Sequence, residues 1–154
     1  MSGGLIIERR LLKVEKVVGE NTVKKSIEAD VALPFKIIKV FDVLASVENV
    51  EAEVRAGGVD VSGTIKKQLF VVDKGDLVHH VEEELPFQVF VPVSGAEPDM
   101  NVQVDVRVLA VDTTLVNAET VQQTVLLDIF VKVTITEQIE VVTDVRNKDL
   151  VVKK

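Results

Sequence analysis

Three observations predict an all-β fold of duplicated antiparallel β units, arranged as a sandwich or as paired barrel-like halves. Apolar residues make up 47% of the 154-residue chain, but aromatics only 4%, with six Phe and no Trp or Tyr. That apolar mass is aliphatic and dominated by Val, whose branched, stiff side chain packs well on a pleated surface. Long stretches alternate apolar and polar residues with period two, as a strand with one buried face requires. The chain also repeats itself, as a duplicated unit would.

The repeat is carried by separated matches in one register. Leu33-Pro34-Phe35 recurs as Leu85-Pro86-Phe87, an offset of 52. At that offset Asn49-Val50-Glu51-Ala52-Glu53-Val54-Arg55 matches Asn101-Val102-Gln103-Val104-Asp105-Val106-Arg107, and Val59-Asp60 matches Val111-Asp112. Thr64-Ile65 and Leu69-Phe70-Val71 then match Thr124-Val125 and Ile129-Phe130-Val131 at an offset of 60. The eight added residues fall near Thr113 to Thr120 and read as a longer loop containing Asn117. The chain thus divides into an extension over 1–11, a first β repeat over 12–63, a second over 64–142 and a tail over 143–154.

From the amino terminus, Leu5-Ile6-Ile7 is a β-prone apolar triplet after Ser2-Gly3-Gly4, suited to donation as a strand to a neighbouring chain. Folding back on its own subunit is the alternative. Val17-Val18-Gly19-Glu20-Asn21-Thr22-Val23 reads as a hairpin break, as does Val71-Val72-Asp73-Lys74-Gly75-Asp76-Leu77. Ile27, Ala29, Val31 and Leu33 share one strand face. Each Leu-Pro-Phe places a proline, which lacks the N–H, at a strand end or edge. In 36–54, Ile37, Val40, Phe41, Leu44 and Val47 follow helical spacing. The related segment Gln88-Val89-Phe90-Val91-Pro92-Val93 alternates instead, so a strand is favoured there. Gly57-Gly58, Gly63 and 94–99 read as turns or bulges. Val102 to Val108, and Val125 to Val133 with Ile135, Ile139 and Val141, continue the alternation. Leu150-Val151-Val152 mirrors the amino-terminal triplet, and Arg9-Arg10 or Lys153-Lys154 would guard such edges.

Composition and motif together argue against several functions. A net charge of −7, from 18 basic and 25 acidic residues, repels phosphate backbones and makes nucleic acid an unsuitable partner. No apolar stretch is long enough to span a membrane, and the three-residue run at Leu5 is too short for a secretory signal, which predicts cytoplasmic synthesis. The absence of cysteine removes disulfides and thiolate chemistry. No serine has a nucleophile-elbow context, and neither Gly-Gly pair leads into a phosphate loop. No enzyme and no cofactor are expected. His80, Glu82 and Glu84 lie on one strand face and form the candidate metal set, against a solvated hairpin face.

A family resemblance runs through these same residues. Residues 64–142, from Thr64-Ile65-Lys66-Lys67-Gln68-Leu69-Phe70-Val71-Val72-Asp73 through His79-His80-Val81-Glu82-Glu83-Glu84-Leu85-Pro86-Phe87, resemble the SPOCS domain. Pro92-Val93-Ser94-Gly95-Ala96, Met100-Asn101-Val102 and Val131-Lys132-Val133-Thr134-Ile135-Thr136-Glu137 continue the likeness. Residues 12–34 are similar to its amino-terminal half. The resemblance implies a protein of spore-forming Gram-positive bacteria. The best-known member of that family joins this domain to a peptidoglycan-binding LysM module and helps attach the coat to the forespore through a morphogenetic ATPase. No LysM segment follows here, so a freestanding module is expected. The resulting expectation is a structural protein that self-assembles through β edges into a spore-envelope layer or extracellular filament. Leu5, Ile6, Ile7, Leu150, Val151 and Val152 would be its assembly residues, and its partner would be itself or another spore-envelope protein. A monomeric adaptor that binds a spore-coat partner is the alternative.

Overall fold

The computed structural model describes residues 5–147, and all six of its elements are strands. They are β1 (Leu5–Ala32), β2 (Ile37–Arg55), β3 (Gly58–Asp73), β4 (Val78–Pro92), β5 (Asn101–Asn117) and β6 (Thr120–Asn147). They form two three-stranded antiparallel sheets, ordered β1-β6-β5 and β2-β3-β4. β2 lies alongside β5 and β1 approaches β4, so the central strands β6 and β3 face each other across the sandwich.

Period-two alternation explains why β3 and β6 are central. On β6, Val121, Val125, Leu127, Ile129, Val131 and Val133 are fully buried; on β3, Val59, Val61, Ile65 and Val71 are. Removing each such side chain from water is worth about 1.5–3 kcal/mol, enough to fix which face turns inward. The offset of 60 superimposes these inward sets, Val61 on Val121, Ile65 on Val125 and Leu69 on Ile129. The two sheets are therefore equivalent, each with a central strand preceded by its hairpin partner. β4 follows β3 in the chain, whereas the corresponding place beside β6 is filled by β1. The matches at offset 52 have no such equivalence: 49–55 closes β2 while 101–107 opens β5. The repeat boundary at 63/64 falls inside β3.

Residues 36–54 form a strand, as favoured. Bulges between Ile37 and Lys39 and between Val40 and Asp42 each add a residue and turn the next side chains over. Ile37, Val40, Val43, Ala45 and Val47 are turned inward as a result, while Phe41 and Leu44 are exposed. The helical spacing thus combines inward Ile37, Val40 and Val47 with outward Phe41 and Leu44. A third bulge, at Asn49 (φ 54°), sits opposite Gly63.

Three local expectations are corrected. Residues 17–23 are not a hairpin break; they lie inside β1, which bulges between Val17 and Gly19. A Cβ on Gly19 would lie 2.9 Å from Val93 Cγ1, so this glycine serves close approach rather than a turn. The added residues 113–120 do not form a long loop. They lengthen the β5–β6 hairpin, with Thr113 and Leu115 paired to Gln123 and Val121, and only 118–119 turn. Their Thr and Val content favours strand continuation. Finally, the two Leu-Pro-Phe motifs occupy unlike places. Pro34 sits at the end of β1, in the bend joining the sheets, and Pro86 lies within edge strand β4. Both prolines avoid an interior ladder.

Candidate assembly edges

The two longest strands create the feature that distinguishes one end of the molecule. β5 joins β6 only as far as Asn101 opposite Thr134. Beyond that point β6 continues to Asn147 with β1 as its only partner, from Lys16 opposite Ile135 to Leu5 opposite Asn147. The result is a two-stranded arm roughly 40 Å long at about 3.4 Å of rise per residue. Both of its edges present backbone N–H and C=O groups that pair with no further strand among the described residues.

Both faces of the arm carry exposed apolar side chains among charged ones. Leu5, Ile7, Leu11 and Val17 alternate along one face of β1, with Val142 and Val145 beside them on β6, and all are exposed. Leu11 is 69% exposed. Leu12 and Ile139 form an exposed cross-strand pair on the other face. Charged residues are interleaved, and Arg9 Nε lies 3.4 Å from Glu140 Oε1 with both side chains about half exposed. Such a pair is worth at most about 1 kcal/mol.

Leu5, Ile6 and Ile7 are paired within the chain, opposite Asn147, Arg146 and Val145. Leu150, Val151 and Val152 lie outside the described residues. The edges differ in their breaks: β2 carries three register shifts, β5 carries two, β1 carries two, on either side of the run from Arg9 to Val17, and β4 carries none but contains Pro86.

His80, Glu82 and Glu84 do share the outer face of β4, but among the described residues no group of three or more such side chains is placed to hold a metal ion. The ring of His80 stacks on Phe70 at 4.7 Å between centroids, and its Nε2 is 3.9 Å from Glu82. The neighbouring His79 points to the opposite face, as strand alternation requires. Its Nε2 lies 2.7 Å from Asp73 Oδ2, and its ring stacks on Phe35 at 4.0 Å. Asp73 Oδ1 accepts hydrogen bonds from the Gly75 and Leu77 amides. The His79 hydrogen bond first, and then the Leu77 amide, hold the Asp73 carboxyl below its usual range. This cluster ties the β3–β4 turn to the bend between the sheets, where Leu33 N and Ile37 N donate to Glu119 O and Ala118 O.

A shallow polar cavity of about 140 Å³ lies on the outer face of the β2-β3-β4 sheet, lined by Glu51, Glu53, Arg55, Asp60, Ser62 and Gln88. Arg55 is paired there with Asp60. Glu48, Glu82 and Glu84 share this face, so it is strongly acidic.

Among the described residues, no helix is long and apolar enough to cross a membrane. No curated protein and no solved structure gives a significant match to the chain. The family described as SipL, SPOCS domain, matches residues 36–116, which carry β2, β3, β4 and nearly all of β5. The matched span begins earlier, and ends earlier, than the 64–142 read from the sequence motifs. With more than half of its length matched, the chain belongs to the SipL SPOCS-domain family, a sporulation-associated family.

Proposed function

We propose that this chain is a non-enzymatic structural protein that self-assembles through β-strand edges into a spore-envelope layer or extracellular filament. The observation that carries this reading is the arm formed by β1 and β6, where an open edge with a single register shift, between Glu8 and Arg9, coincides with exposed Leu5, Ile7, Leu11, Val142 and Val145. Backbone pairing supplies affinity and alternate apolar side chains supply register when one strand adds to another. Leu5, Ile6 and Ile7 act at the tip of this edge, and Leu150, Val151 and Val152 extend the sequence beyond it.

Deletion of residues 1–10 tests the assignment. The full chain should sediment as species that grow with concentration, and the shortened chain should remain a monomer. Growth undiminished by the deletion would remove the arm from the assembly.

A second reading, an adaptor that docks a spore-coat partner, is favoured by the acidic outer face of the β2-β3-β4 sheet, which suits a basic partner. Pull-down from sporulating cells separates the two, since self-assembly retrieves the same chain and an adaptor retrieves a different one.

A further inference from the structure

The interior of the sandwich is crossed by one layer that is not apolar. On β6, Gln123 is the only inward residue between Val121, in the smaller buried cluster, and Val125, in the larger. On β3, Lys67 holds the same place between Leu69 in the smaller cluster and Ile65 in the larger. Because each cluster draws residues from both sheets, Gln123 and Lys67 lie at one level on facing strands. Their cross-strand neighbours complete the layer: Thr113 and Ala29 beside Gln123, Glu83 and Ala45 beside Lys67.

Lys67 and Gln123 are each 1% exposed. Lys67 Nζ lies 3.5 Å from Glu83 Oε2 and has no hydrogen-bond partner. Both amide atoms of Gln123 and the hydroxyl of Thr113 are likewise buried without one. A buried polar group left unsatisfied costs about 1–3 kcal/mol, and more for an ammonium. Several such groups at one level of the interior need small partners that both donate and accept.

We propose that this layer is an internal water-binding site, in which ordered water bridges Lys67 Nζ, the Gln123 carboxamide and the Thr113 hydroxyl between the two sheets. An anion fits the set poorly, because Glu83 and the Gln123 carbonyl oxygen would repel it. Water satisfies donors and acceptors alike, and typically makes about three hydrogen bonds when buried. The site would also divide the core into two separately packed parts.

Oxygen-17 magnetic relaxation dispersion of the full chain reads water molecules held inside a protein. The wild type should show a dispersion step that is reduced in Lys67→Leu/Gln123→Val, which copies the Leu127 found at the position equivalent to Lys67. An absent step, or an equal step in the folded double variant, would overturn the site. Should the double variant fail to fold, Thr113→Val, which keeps the side-chain shape, should still reduce the step, and an unchanged step would overturn the site equally. A high-resolution crystal structure with these side chains bonded directly to one another, and no water among them, would contradict it as well.

Discussion

Asp73 holds the β3–β4 turn through two amides and His79, and this contact gives the folded protein a defined response to acid. Its carboxyl titrates lower in the folded chain than the usual value of 3.8. The unfolded chain therefore binds the proton first as pH falls. The stabilisation is fully present above the unfolded value and is lost as pH drops through the lower folded one. Urea midpoints of wild type and Asp73→Asn should differ at neutral pH and converge in strong acid; a gap independent of pH would remove the carboxylate from the account. Gly58 makes a steric prediction. A Cβ there would collide with the Phe90 ring and lie 2.5 Å from the Val91 carbonyl oxygen. Gly58→Ala should destabilise by about 1–3 kcal/mol, since backbone cannot give way as a side-chain tip can. Equilibrium urea unfolding checks it. The Gly57-Gly58 turn was legible in the sequence, but the role of Phe90 was not, because opposition across β3 and β4 depends on register. The inward place of Lys67 was legible, because it shares the parity of Val61, Ile65, Leu69 and Val71; its pairing with Glu83 was not, because that depends on the register of β3 with β4.

Strands were read most securely where the alternation is unbroken. Val125 to Val133 fixes β6, and its inward face is the one the sequence marked. Leu127 is fully buried there and Leu11 is not, so the same truncation should behave differently at each. Leu127→Ala should cost about 2–5 kcal/mol, and Leu11→Ala should stay within about 0.5 kcal/mol of wild type. Comparable losses in denaturant titration would mean that the arm is buried in the isolated protein. Where alternation is broken, the reading was weaker for an identifiable reason. β2 imitates a helix because exposed Phe41 and Leu44 stand among its inward residues, and Gly19 imitates a turn because a distant segment presses against it. The alternation placed His80, Glu82 and Glu84 on one face. What the sequence could not show is that the His80 ring is engaged by Phe70 from the adjoining strand.

At the scale of the molecule, two equivalent sheets close over a valine-rich interior, and one pair of strands outruns the rest. The all-β class and the central-strand equivalence were present in the offset of 60. The arm was not, because its length depends on where β5 stops pairing, and nothing in the sequence of β6 marks that point. The end that lacks a third strand carries exposed Leu5, Ile7, Leu11, Leu12, Ile139, Val142 and Val145, and that coincidence motivates assembly by edge pairing. Negative-stain electron microscopy of the purified full chain at high concentration addresses it most directly. Regular polymers or sheets, absent after removal of residues 1–10, are predicted; a field of uniform single particles at every concentration would contradict the account.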